Sequence, residues 1–119
     1  FCCVSLSDRL TPWAVIEKRL EAAAAGDFVL ALYNPRSKDR DWQLGQAKEI
    51  LLKLRPPTTP VMLARQLGRA EESRQLTCLE RLEPEAVDML TLVLIGNSSS
   101  RAENGWMVTP RGYPGASLQ

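Results

Sequence analysis

The stretch Gly26-Asp27-Phe28-Val29-Leu30-Ala31-Leu32-Tyr33-Asn34-Pro35 constrains the fold more than any other part of this chain. Every residue from Phe28 to Leu32 is apolar. A strand of that kind is buried on both faces, as in the interior of an α/β sheet. Pro35 has no N–H to give to a ladder, and it biases Asn34 toward extended backbone. The strand is therefore expected to stop at Tyr33-Asn34. An aromatic ring and a small amide then stand at its C-terminal end, where open α/β sheets bind ligands.

The flanking sequence alternates helical and extended patterns. Cys2 to Leu6 reads as a short apolar strand. Thr11 is placed to N-cap a helix with Pro12 at its first position. Trp13, Ile16, Leu20 and Ala23 or Ala24 share one face at helical spacing. Gly26 follows where a C-cap glycine belongs. Asp39 or Asp41 is expected to cap a second helix with Leu44, Ala47, Ile50-Leu51 and Leu54 as its stripe, closed by Pro56-Pro57. Val61–Leu67 and Ser73–Leu79 read as two strands, close enough to form an antiparallel pair. In the second, Arg74, Leu76 and Cys78 share one side, with Gln75, Thr77 and Leu79 on the other. Glu83-Pro84-Glu85 opens a short helix or turn around Val87. Thr91–Ile95 is another fully apolar strand, stopped by Gly96-Asn97-Ser98, and Trp106–Val108 reads as a last one. The fold class that results is α/β: a mixed sheet of four or five strands with packed helices.

Composition narrows the function by exclusion. The chain has 119 residues, 45% hydrophobic and 24% charged, with a net charge of +1. That is ordinary globular usage for one small domain, without the basic excess of a nucleic-acid binder. No run reaches the roughly 20 apolar residues of a membrane span, and no secretory signal pattern is present. Three cysteines, no histidine and no C-x-x-C spacing argue against a zinc site and for reduced thiols in a cytoplasmic protein. The absence of histidine removes the usual activated nucleophile and general base. Neither a G-x-G-x-x-G nor a P-loop pattern is present.

Five segments occur in an order that resembles one family. They are Ser5-Leu6-Ser7-Asp8, Thr11-Pro12-Trp13, Ala31-Leu32-Tyr33-Asn34-Pro35-Arg36-Ser37, Ile95-Gly96-Asn97-Ser98 and Met107-Val108-Thr109-Pro110-Arg111-Gly112-Tyr113. Together they resemble the C-terminal half of precorrin-3B C17-methyltransferase, of the tetrapyrrole methylase superfamily. The resemblance implies a C-terminal α/β domain over residues 1–113, a tail over 114–119, and an N-terminal domain that is absent. It also implies S-adenosylmethionine as methyl donor, and methyl transfer to C17 of precorrin-3B with ring contraction, in cobalamin biosynthesis. The sulfonium is already activated, so such an enzyme mainly aligns the reacting atoms and can do without a catalytic histidine. A fragment of this kind is expected to have little activity alone and to associate as a homodimer through the apolar surface its partner lobe would cover.

The same resemblance implies roles for individual residues. Tyr33, Asn34, Gln66, Leu67, Thr109 and Pro110 would line the cofactor. Here Gln66-Leu67 stand where the family more usually has Asn-Ala, and Leu67 is the larger residue. Arg36, Lys38, Arg101 and Arg111 would meet the carboxylate arms of a precorrin, as would Arg40, since guanidinium forks suit carboxylates. No catalytic residue is assigned and no metal site is expected. Two alternatives remain open: a sister methyltransferase acting at another ring position, and a non-catalytic oligomerisation or nucleotide-binding module.

Overall fold

A computed structural model describes residues 1–110 of the chain. In order, the elements are β1 (Cys2–Ser5), α1 (Trp13–Ala25), β2 (Leu30–Tyr33), α2 (Gln43–Leu52), β3 (Pro60–Arg65), β4 (Ser73–Cys78), β5 (Thr91–Ile95), β6 (Arg101–Glu103) and β7 (Trp106–Val108). Two 3-10 turns, Leu79–Arg81 and Pro84–Ala86, lie between β4 and β5. Five strands form one mixed sheet in the order β1-β2-β5-β3-β4, and β6 and β7 form a separate hairpin. β1 and β2 are parallel, which requires a crossover, and α1 supplies it. The other neighbours are antiparallel, including the β3–β4 pair expected from the sequence.

The pleat sorts the side chains. Val4, Leu30, Leu32, Val61, Val93 and Ile95 are buried in one cluster with Ile16, Leu20 and Ala23 of α1 and with Leu44, Ala47 and Leu51 of α2. Both helix stripes are those the 3.6-residue spacing predicts, except that Leu54 lies beyond α2 and is half-exposed. The opposite face carries Ala31, Met62 and Ala64, buried, with Leu92 and Leu94 half-buried. Among the described residues no helix packs there. The β6–β7 hairpin covers part of it, with Met107 lining the same groove as Met62 and Leu94. Trp106 stacks under the Arg74 guanidinium at 3.7 Å.

Element ends differ from the sequence reading. Neither helix has a side-chain cap: Pro12, not Thr11, precedes α1, and Trp42, not Asp39 or Asp41, precedes α2. The first turn of α2 is held instead by Gln43, which accepts from the Trp42 N–H at 3.3 Å and donates to Asp8 at 2.9 Å. Gly26 is the C-cap of α1, but with φ −79°, and the left-handed residue is Asp27. Asn34 also takes the left-handed conformation, φ 50°, rather than the extended one. Asparagine tolerates that region because its short amide finds local partners. Here its Nδ2 donates to Ser5 Oγ at 3.2 Å.

One end of the sheet is tied by Arg55, which is buried just after α2. Its guanidinium donates to the carbonyls of Gly96 (2.6 Å), Ala23 (3.4 Å) and Phe28. Burial pulls its pKa down, and the nearby Asp27 carboxylate acts in the opposite direction. At the same end a Cβ on Gly96 would lie 2.6 Å from Ser100 Cβ and 3.2 Å from the Pro60 carbonyl. A Cβ on Gly26 would instead meet the half-exposed ring of Phe28, a side chain with room to turn toward solvent. Gly96→Ala should therefore destabilise the fold by about 1–2 kcal/mol through overpacking, and Gly26→Ala by well under half of that. Urea denaturation of the two variants checks the contrast, and equal losses would contradict it.

No helix among the described residues is long and apolar enough to cross a membrane.

Candidate functional site

The strand ends at the other edge of the sheet converge. β2 stops at Tyr33, which pairs with Ser5 of β1. β3 stops at Arg65, which pairs with Thr91, the first residue of β5. Because β5 runs antiparallel between β2 and β3, the Tyr33-Asn34 and Gln66-Leu67 turns stand at the same sheet end, on either side of Thr91. Both turns contain a left-handed non-glycine residue, Asn34 at φ 50° and Gln66 at φ 54°. Such backbone persists only where the surroundings over-determine it, and it clusters at functional sites.

Each turn has its clamp. The Gln66 N–H donates to the Leu90 carbonyl at 3.0 Å. Asp88 secures the same loop: Arg65 Nε donates to its carboxylate at 2.8 Å, and the Thr91 hydroxyl and Leu90 N–H donate to its other oxygen. Burial alone would raise the Asp88 pKa, but these three donors together hold it below its usual value. Asn34 is held by Ser5 on its amide and by Arg40 on its carbonyl, where Nη1 donates at 3.2 Å. Arg40 is buried, donates also to the Leu6 carbonyl at 3.3 Å, and reaches Met89 Sδ at 3.4 Å. The sequence resemblance grouped it with Arg36 and Lys38 as a partner for carboxylate arms, but its guanidinium is committed to backbone carbonyls. No local signal marked it as buried, because its acceptors lie on three separate segments.

The expected site residues fall into distinct places. Tyr33 and Asn34 line a groove of about 600 Å3 with Ser5, Ser7, Arg9 and Thr11. Leu67 lines a second groove of about 510 Å3 on the helix-free face, with Met62, Ala64, Leu94, Trp106 and Met107. Tyr33, Asn34, Gln66 and Leu67 thus share one sheet end, but Tyr33 and Asn34 line one groove, Leu67 lines the other, and Gln66 lines neither. Thr109 is not with them. Its hydroxyl lies 2.6 Å from that of Ser100, beside Gly96 at the opposite end of the sheet, and Pro110 follows it, half-buried. Arg36 donates to the Pro84 carbonyl at 3.1 Å, and Lys38 is exposed. Arg101 pairs with Glu103 at 3.5 Å and lines the groove at the Arg55 end, where both the hydroxyl and the N–H of Ser98 lower the Asp27 pKa. Arg111 lies outside the described residues. Among those described, no cluster of three or more His, Cys, Asp or Glu side chains could hold a metal ion.

The arrangement suits recognition more than bond-breaking. It offers left-handed turns, a flat half-exposed tyrosine, an amide and hydroxyls, without an acid–base pair.

No family model matches the chain. Among curated proteins it is 47% identical over 113 residues to one from Salmonella typhimurium named "Probable cobalt-factor III C(17)-methyltransferase", covering 95% of this chain and 47% of that protein. It is 44% identical over 122 residues to the "Precorrin-3B C(17)-methyltransferase" of Sinorhizobium sp, covering 98% of this chain and 48% of that one. Among solved structures it superposes on the methyltransferase CobJ with a TM-score of 0.87 at 42% identity, over 92% of this chain and 46% of CobJ. The chain spans about half the length of these curated relatives. The resemblance to the C-terminal half of the C17-methyltransferases, and the mixed α/β fold expected from it, are borne out along nearly the whole chain.

Proposed function

We propose that this chain forms the C-terminal lobe, over residues 1–113, of an S-adenosylmethionine-dependent methyltransferase that acts at C17 of precorrin-3B, with ring contraction, in cobalamin biosynthesis. The observation that carries the proposal is the similarity, sustained along the whole described sheet, to proteins named for methylation at that carbon. S-adenosylmethionine is the donor, and its sulfonium supplies the reactive methyl group. The lobe contributes one wall: the Tyr33-Asn34 and Gln66-Leu67 turns bind and orient the cofactor. Arg36, Lys38, Arg101 and Arg111 serve the carboxylate arms of the precorrin. The enzyme works in the cytoplasm as a homodimer.

One wall binds weakly. S-adenosylhomocysteine should bind this chain with a dissociation constant on the order of a millimolar, about 4 kcal/mol. Titration followed by amide NMR should move the resonances of Tyr33, Asn34, Gln66 and Leu67 before others. Asn34→Gly suits the left-handed backbone and removes the side-chain amide with its bond to Ser5, so it should weaken binding about threefold or more if that amide contacts the ligand. Shifts confined to other parts of the sheet, or none at all at high ligand concentration, would sink the assignment.

A further inference from the structure

The groove beside Tyr33 carries an electrostatic pattern that its neighbours lack. Two guanidinium groups, Arg9 and Arg19, line it, and no carboxylate does among the described residues. Among the described residues neither arginine makes an ion pair. Asp8, next to Arg9 in the chain, is engaged with Gln43 at 2.9 Å. The hydroxyls add to the same polarity. Ser5 Oγ already accepts from the Ser7 N–H and from Asn34 Nδ2, each at 3.2 Å. Its own proton is therefore left to donate outward. Thr11 lines the same groove, and its hydroxyl does not cap α1. Tyr33, 44% exposed, closes one side with a flat ring.

A site built from donors and cations beside an aromatic plate fits a carboxylate on a flat ring system. At about 600 Å3 the groove has the size of a small-molecule site and can seat one ring of a larger macrocycle with its arms. We infer that Arg9 and Arg19, with the Ser5 hydroxyl, receive a carboxylate arm of the tetrapyrrole. The choice of a tetrapyrrole rests on the proposed methyl transfer. The preference for a polycarboxylate rests on the groove alone.

Uroporphyrin III, with its carboxylate on every arm, is the probe. Its binding is followed by fluorescence titration at low and moderate salt, with the unaltered chain, the Arg9→Gln/Arg19→Gln double variant, and Lys18→Gln as control. Lys18 is an exposed cation on the same helix that does not line the groove. All three side chains sit on the surface, so circular dichroism should show the same fold throughout. The double variant should lose about tenfold in affinity and most of the salt dependence, with Lys18→Gln unchanged within about twofold. Equal losses in the double variant and the control, unaltered binding in both, or no binding by the unaltered chain would each overturn the inference. Amide shifts at Asn34 and Gln66 with S-adenosylhomocysteine, together with uroporphyrin binding indifferent to the two arginines, would remove this groove and leave the methyltransferase reading standing. Arginine-dependent uroporphyrin binding without any response to S-adenosylhomocysteine would do the reverse.

Discussion

Arg55→Leu is expected to lower the free energy of unfolding by about 3 kcal/mol, because one buried side chain currently serves three carbonyls. The Gly96, Ala23 and Phe28 carbonyls belong to the end of β5, to the last turns of α1 and to the entry to β2. Leucine leaves them facing an apolar group, at roughly 1–3 kcal/mol for each acceptor that water cannot reach. The Ala23 carbonyl also accepts from the Phe28 N–H at 3.1 Å, so it is not orphaned, which keeps the total near the lower end. Arg55→Lys retains the charge but offers a point donor in place of a planar fork, and should fall between the two. Chemical denaturation reads the difference directly. A loss below about 1 kcal/mol for Arg55→Leu would mean that water enters and replaces the guanidinium at those carbonyls.

Arginines of this kind explain what the sequence could and could not reveal. The apolar runs at β2 and β5 announce buried strands, since no other element buries consecutive residues on both faces in so short a span. The stripes of α1 and α2 announce their buried faces in the same way. What a run cannot announce is its neighbours. That β5 inserts between β2 and β3, rather than following β4 at the edge, is decided by contacts between segments some 30 to 60 residues apart. Arg40 and Arg55 are illegible for the same reason. A lone arginine reads as solvent-exposed until the chain brings backbone carbonyls to it from elsewhere, two for Arg40 and three for Arg55. Asn34 was legible in position but not in conformation: the proline after it argued for extended backbone, and the tertiary partners of its amide and carbonyl overrode that preference.

The candidate site divides along the same line. Tyr33-Asn34 and Gln66-Leu67 could be located from sequence because a strand that ends on a turn signal ends at a sheet edge, and ligands collect there. Arg9 and Arg19 could not, because one lies in a loop and the other on a helix, and only the parallel β1–α1–β2 crossover brings them beside Tyr33. Thr109 shows the limit of reading by segments. Its place after β7 is as the sequence predicts, yet the hairpin carries it to Ser100, a strand's length from the turn it was grouped with.

Arg40→Leu is the counterpart at that turn, and its effect should be local before it is global. The side chain bonds the Leu6 and Asn34 carbonyls. The Leu6 N–H in turn donates to the Tyr33 carbonyl at 3.0 Å, so the end of β1 and the end of β2 are held as one unit. Two carbonyls losing a charged donor should cost about 2 kcal/mol, less than at Arg55 because fewer acceptors depend on the group. Hydrogen exchange separates the two arginines. In Arg40→Leu the Leu6 amide should exchange about 30-fold faster while amides of β3 and β5 near Gly96 change little, since about 2 kcal/mol is then released by opening one end. In Arg55→Leu the order should invert, with Gly96 and Phe28 first. The two sites lie at opposite ends of the sheet and share no partner, so the double variant should lose the sum of the single losses within about 0.5 kcal/mol. A clear excess over that sum would mean that the five strands transmit strain along their length, and that the Tyr33-Asn34 turn is held in shape by the distant Arg55 end as well as by Arg40.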